Sequence, residues 1–105
     1  MFGFIKNILG GGPKVDLRAL VKEEKAKIVD VRTPGEFKSG HIRGSVNIPL
    51  TQIQNAGRKF KADQPLVLVC ASGMRSSQAR RMLKSVGFTN VHNGGGWQSF
   101  QNQIR

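Results

Sequence analysis

One stretch constrains this chain more than any other: Pro65-Leu66-Val67-Leu68-Val69-Cys70-Ala71-Ser72-Gly73-Met74-Arg75-Ser76-Ser77. Four apolar, mostly branched residues in succession predict a fully buried strand. The only cysteine of the chain follows directly. Small, flexible residues come next, and a helical pattern begins with Ser77-Gln78-Ala79-Arg80-Arg81-Met82-Leu83. A strand, a tight loop and a helix N-terminus therefore meet at a single thiol.

The remaining segments can be arranged around that junction. The Gly-rich break at residues 10–13 separates an N-terminal extension and linker, residues 1–13, from a domain of residues 14–105. Asp16 is a candidate N-cap for a helix to about Glu24, with Leu17, Leu20 and Val21 on one face. The β-branched run Lys27–Val31 predicts a buried strand. Asp30 interrupts it, and a buried acid needs a partner. Thr33-Pro34-Gly35-Glu36 has the form of a capping box opening a short helix, Pro34–Lys38. A short strand, Ser45–Ile48, stops at Pro49. Thr51 can cap a helix to about Phe60, anchored by Leu50, Ile53 and Phe60. Ala79, Met82, Leu83 and Val86 mark an amphipathic helix that Gly87 ends. Phe88–Val91 is a last strand, Gly94–Gly96 a loop and Trp97–Ile104 a final helix carrying Trp97 and Phe100. Strands alternating with helices predict an α/β fold with a small, mainly parallel sheet.

Composition narrows the chemistry. Seventeen Lys and Arg oppose six Asp and Glu, a net charge of +11. Such a surface attracts anions: oxyanions, acidic proteins, nucleic acid or anionic membrane. Nucleic acid is not expected as a partner, because the basic residues are scattered and no aromatic residues interleave with them. A single cysteine excludes an internal disulfide and a multi-cysteine metal site. It fits a reducing compartment such as the cytoplasm. His41 and His92 lack metal-ligand spacing, and no metal is expected. The apolar residues 1–10 are too short to span a bilayer and lack a cleavage signal. They are read as packing on the domain rather than as a membrane anchor.

At Cys70 the pattern predicts a reactive thiolate. Active sites in open α/β sheets gather beyond the carboxyl ends of the strands. Backbone amides of Ala71–Ser76 can curl around the sulfur, and the following helix points its positive end there. Arg75, Arg80, Arg81 and Lys84 add charge. Together these predict a lowered thiol pKa and an anion-binding cup. A buried core cysteine is the plainer alternative.

Four stretches, in order from Asp16 to the end, resemble a single-domain rhodanese. They are Ile28-Val29-Asp30-Val31-Arg32-Thr33-Pro34-Gly35-Glu36-Phe37, Gly40 through Leu50, Val69-Cys70-Ala71-Ser72-Gly73-Met74-Arg75-Ser76, and Gly87-Phe88-Thr89-Asn90-Val91 through Gly94-Gly95-Gly96-Trp97. Gly35 and Arg43 depart from residues common in that family, Glu and Pro, and neither touches the nucleophile. The resemblance implies a rhodanese-like three-layer domain with helices on both faces of the sheet. It implies a sulfurtransferase that takes a sulfane sulfur from thiosulfate or a persulfide donor and passes it to a thiophilic acceptor. That acceptor is cyanide in an assay, or a thiol such as glutathione or a thioredoxin-like protein. No cofactor is implied.

In this reading Cys70 is the nucleophile, and Ala71, Ser72, Gly73, Met74 and Arg75 form the substrate-binding loop. Arg75 holds the loop's shape or meets an anionic substrate. Asp30 and Arg32 are supports beneath the loop, His41 is structural and Trp97 belongs to the core. The loop from Cys70 to Arg75 has six residues. Related phosphatases carry one residue more, so phosphate chemistry fits less well. A sulfur-relay module with little thiosulfate turnover is the main alternative. An inactive scaffold is disfavoured by the intact cysteine loop.

Overall fold

Every residue of Leu66–Cys70 is buried, and the fold is assembled on that strand. A computed structural model of the chain describes residues 15–105. The expected N-terminal extension, residues 1–13, lies outside them. The elements run α1 (Leu17–Lys22), β1 (Lys27–Asp30), α2 (Pro34–Lys38), β2 (Val46–Asn47), a 3₁₀ helix (Leu50–Arg58), β3 (Leu66–Cys70), α3 (Met74–Ser85), β4 (Val91–Gly96) and α4 (Trp97–Ile104). The four strands form one sheet in the order β2-β1-β3-β4, and every pairing is parallel. This is the α/β architecture that the sequence implies.

Because side chains alternate along a strand, β3 feeds two cores. Leu66, Leu68 and Cys70 join Ile53 and Ala56 of the 3₁₀ helix and Ala79 and Leu83 of α3. Val67 and Val69 join Ile28 and Phe100, with Leu17, Val21 and Trp97 packed alongside. Helices thus cover both faces. The alternation also places Cys70 on the face that α3 covers.

Local signals set several boundaries. The Asp16 side chain accepts from the Ala19 amide at 3.0 Å and starts α1. The capping box is complete: Thr33 Oγ1 accepts from the Glu36 amide, and Glu36 Oε1 accepts from the Thr33 amide at 3.0 Å. Two bonds end α3, Gly87 N–H to the Lys84 carbonyl and Phe88 N–H to the Leu83 carbonyl, with Gly87 at φ +105°. This is a Schellman stop, and it takes Phe88 as its apolar contact.

That stop explains one correction. Phe88 belongs to the end of α3, so the last strand begins at Val91 rather than at Phe88. It then runs through Gly94–Gly96, which the sequence predicts as a loop. Glycine disfavours strands on its own, but here it permits close approach. A Cβ on Gly94 would lie 2.8 Å from Val67 Cγ1 and 3.2 Å from the Leu68 carbonyl oxygen. One on Gly96 would lie 2.9 Å from the Ala71 carbonyl oxygen.

Two helix starts also differ from expectation. The segment after Pro49 is a 3₁₀ helix starting at Leu50, with Pro49 rather than Thr51 at its N-cap. Three residues per turn align Ile53 with Ala56, the pair it buries. Helix α3 begins at Met74, three residues before the helical pattern that the sequence shows from Ser77. Only Ser76 of that first turn is buried, so hydrophobic spacing gives no sign of it. The smaller differences are helix and strand ends shorter by one or two residues.

The close approach of β4 makes a prediction. Gly94→Ala should lower stability by about 1–3 kcal/mol, since the added methyl meets packed side chains and a backbone carbonyl. Gly35→Ala, with nothing within 4 Å of the new Cβ, should be neutral or slightly stabilising. Urea midpoints of the two variants check this, and equal midpoints would contradict it.

Candidate functional site

Strand β3 delivers Cys70 to the carboxyl edge of the sheet, fully buried. The chain must then turn at once to enter α3. Gly73, at φ +99°, makes that turn as the N-cap of the helix. Its amide points back and donates to Cys70 Sγ at 2.9 Å. The Ser76 hydroxyl oxygen, from the first turn of α3, lies 3.5 Å from the same sulfur.

Two opposing effects act on the thiol. Burial pushes its pKa up. Hydrogen bonding with the Ser76 hydroxyl and with the amides of Ser76, Gly73 and Ser72 outweighs burial, and the thiol lies below its ordinary value. The loop therefore favours a thiolate, and its amides offer the same stabilisation to any negatively charged sulfur attached there.

Arg75 is hydrogen-bonded to Glu36 rather than to the sulfur. Its guanidinium forms a two-pronged pair with Glu36, at 2.7 and 3.0 Å. That hydrogen bond to Arg75, followed by the one from the Thr33 amide, lowers the Glu36 carboxyl from 4.5 to about 2. Glu36 in turn raises the pKa of Arg75. The pair joins the cysteine loop to α2. Arg80 and Arg81 are also engaged: Arg80 Nε donates to the Val91 carbonyl at 2.7 Å, and Arg81 Nη1 donates to Ser77 Oγ at 3.2 Å.

Asp30 and Arg32 lie at the end of β1. Asp30 is fully buried, and Arg32 nearly so. The Arg32 guanidinium binds both Asp30 oxygens, the shortest contact being 2.7 Å. It also donates to the carbonyls of Glu36 and Gly40, at 3.2 and 2.7 Å, and lies 4.7 Å over the Trp97 ring. His41 Nδ1 donates to the Phe37 carbonyl at 2.7 Å, and its ring stacks on Phe37. It is engaged in local structure. Trp97 packs partly buried against the second core. Met74, at the tip of the loop, is 78% exposed. Among the described residues, no group of three or more His, Cys, Asp or Glu could hold a metal ion, and no helix is long and apolar enough to cross a membrane.

The structure adds residues that sequence reasoning did not place at the site. Glu36 is legible as a capping residue, but its bond to Arg75 is not. Asn93 connects three elements. Its Oδ1 accepts from the Ser76 hydroxyl at 2.6 Å and from the Gly95 amide at 2.9 Å, and its Nδ2 donates to the Gly73 carbonyl at 3.1 Å. It sits where the β3–β4 register shifts, Leu68 pairing with Asn93 and Val69 with Gly95. Sequence offers no signal for such a bulge beyond the glycines that follow it.

Comparison with known proteins agrees with this architecture. Residues 14–103 match the rhodanese-like domain family, and the chain belongs to that family. The uncharacterised Bacillus subtilis protein YqhL is 35% identical over 96 residues, covering 85% of this chain and 76% of that one. The human thiosulfate:glutathione sulfurtransferase is 30% identical over 102 residues, covering 81% and 89%. The structure of the human single-domain sulfurtransferase superposes with a TM-score of 0.74 at 28% identity, covering 83% of this chain and 90% of that one.

The Arg75–Glu36 pair has a defined pH signature. A carboxyl with a lowered folded pKa contributes stability that is fully present above its ordinary pKa and is lost as pH falls through the folded value. For Glu36 the window runs from about 4.5 down to about 2. Glu36→Gln should therefore lower the urea midpoint at pH 6, and the gap to wild type should close as pH falls towards 2. A gap independent of pH would show that the pair is not its source.

Proposed function

We propose that the protein is a sulfurtransferase that carries sulfane sulfur as a persulfide on Cys70. The observation that carries this reading is the six-residue loop whose amides converge on one buried sulfur, with the Gly73 N–H at 2.9 Å. Relatives named thiosulfate sulfurtransferases, in Escherichia coli and Pseudomonas syringae as well as the human protein, support it.

The reaction has two half-steps. The Cys70 thiolate attacks the outer sulfur of thiosulfate. The bond between the two thiosulfate sulfurs breaks, and sulfite leaves with its electron pair. The persulfide's terminal sulfur carries the negative charge, which the loop amides stabilise. An acceptor thiolate then attacks that sulfur and regenerates the Cys70 thiolate. Cyanide takes the same role in an assay and leaves as thiocyanate.

In this mechanism Cys70 is the nucleophile and residues 71–75 are the cradle, with the Gly73 amide in contact with sulfur. Arg75 acts by holding the loop to α2 through Glu36. Asp30 and Arg32 support that helix from below. The acceptor is a small thiol of the glutathione class or a thioredoxin-like protein, and a reducing compartment such as the cytoplasm suits the free thiol. A cleft of about 180 Å³ lined by Val31, Thr33, Pro49, Leu50, Thr51 and Arg75 flanks the loop and offers such an acceptor apolar contact. The exposed Met74 at the loop tip favours a second reading, a relay in which a partner protein delivers the persulfide directly.

Intact mass after incubation with thiosulfate tests the proposal. Wild type should gain one sulfur atom, and Cys70→Ser should gain none. No gain with thiosulfate or with any persulfide donor would sink the mechanism. A gain from a protein persulfide but not from thiosulfate would select the relay.

A further inference from the structure

The Ser76 hydroxyl has one proton and two neighbours that could take it. Asn93 Oδ1 is at 2.6 Å and Cys70 Sγ at 3.5 Å. The orientation of the Asn93 amide is fixed by its other partners. Its oxygen accepts from the Gly95 amide, and its nitrogen donates to the Gly73 carbonyl. Turning it over would set donor against donor at Gly95 and acceptor against acceptor at Gly73. Asn93 can therefore only accept from Ser76. While that bond stands, the serine oxygen has only lone pairs to offer the sulfur. It accepts the S–H of a thiol and cannot donate to a thiolate.

We infer that Asn93 is a positioning residue that holds the Ser76 proton away from Cys70, so that the serine donates to sulfur only after the thiol ionises. The proton balance is simple. The S–H proton leaves to water. The Ser76 O–H then swings from Asn93 Oδ1 to Sγ, and Oδ1 keeps its bond from Gly95. The favourable bond to the thiolate is gained at the expense of a short neutral one. Asn93 thus tempers the thiolate stabilisation that the loop supplies. Ser76 and Cys70 are fully buried, while Asn93 holds the serine proton from the exposed side.

The charged groups near the sulfur are engaged elsewhere, and the Arg75 charge felt at Cys70 acts from its pair with Glu36. From α3, Arg75 is paired with Glu36 of α2, and Arg80 is bonded through Nε to Val91. From β1, Asp30 is paired with Arg32. From β4, His92 is held below its ordinary pKa by burial and by the nearby Arg80 and Lys84, and its Nε2 is engaged with the Asn90 side chain at 2.7 Å. Asn93 and Ser76 form the neutral part of the site, so removing their bond changes no charge.

The test is the pH profile of Cys70 alkylation by iodoacetamide, which needs no sulfur donor and is independent of the sulfurtransferase reading. Asn93→Ala should lower the thiol pKa by about one unit, roughly a tenfold gain in thiolate at a pH below it. Ser76→Ala should raise it. In the Ser76→Ala background, Asn93→Ala should not lower it, because only the lost bond to the Gly73 carbonyl is left to act there. A pKa that rises or stays in Asn93→Ala, or that falls equally without Ser76, would overturn the inference. If Asn93→Ala fails to fold, Asn93→Asp serves. Its carboxylate loses the donor to the Gly73 carbonyl and adds a negative charge in both backgrounds, but it also holds the serine proton more firmly, so the thiol pKa should rise more with Ser76 present than without it. Equal shifts in both backgrounds would overturn the inference.

Discussion

The site depends on a buried guanidinium. Arg32 has almost no contact with water, so each of its donors needs a protein acceptor, and an unmet charge there would cost several kcal/mol. Asp30 supplies the counter-charge, and the carbonyls of Glu36 and Gly40 take two further donors. Those carbonyls belong to α2 and the turn after it. A five-residue helix has little stability of its own. The demand of Arg32 for acceptors fixes where it lies. Asn47 completes the arrangement by donating to the carbonyls of Asp30 and Arg32, which holds the short strand β2 in place.

From α2 the support passes to the cysteine loop. Thr33 and Glu36 close the capping box, which sets the direction of the Glu36 carboxylate. That carboxylate then receives both prongs of Arg75. On the opposite flank, Asn93 binds Gly73 and Ser76 from the bulge in β4. The loop is therefore held by α2 on one side and β4 on the other, and its amides point at the sulfur without needing to reorganise when charge develops there. The positive charge of Arg75 goes into this scaffold. In the proposed mechanism a sulfur anion is stabilised mainly by backbone amides, the Ser76 hydroxyl and the start of α3, with the paired Arg75 adding its charge from a distance.

The sequence revealed the parts of this arrangement that depend on local chemistry. The apolar runs at Ile28–Val31 and Leu66–Val69, the cap at Asp16, the capping box at Thr33 and the stop at Gly87 are all written in neighbouring residues. The four motifs around Cys70 and Asp30 carried the family. What stayed hidden is long-range. Arg75 and Glu36 are 39 residues apart, and Ser76 and Asn93 are 17 apart. No periodicity links either pair. The glycines of β4 read as a loop because their intrinsic preference is for one. Only the nearness of Val67, Leu68 and Ala71 gives them their role in a strand, and that nearness exists only once the sheet has formed. The first turn of α3 is not legible for a related reason, since its single buried residue is a polar serine beside the site rather than a core residue.

The two flanking clamps differ in strength, and the difference has a direction. Arg75 and Glu36 are each more than a third exposed, and water and salt compete with an exposed pair. The bond from Ser76 to Asn93 joins an exposed amide to a buried hydroxyl, and it is at the hydroxyl that losing a partner is costly. Cys70 is buried in this structure, so in the proposed mechanism a donor sulfur reaches it when part of the rim moves. The α2 side of the loop can move at lower cost than the β4 side. It is also the side that borders the cleft between Thr33 and Leu50. The flank that yields more readily is thus the one through which a small donor or acceptor would approach. The flank that resists holds the hydroxyl and amide that set the state of the sulfur.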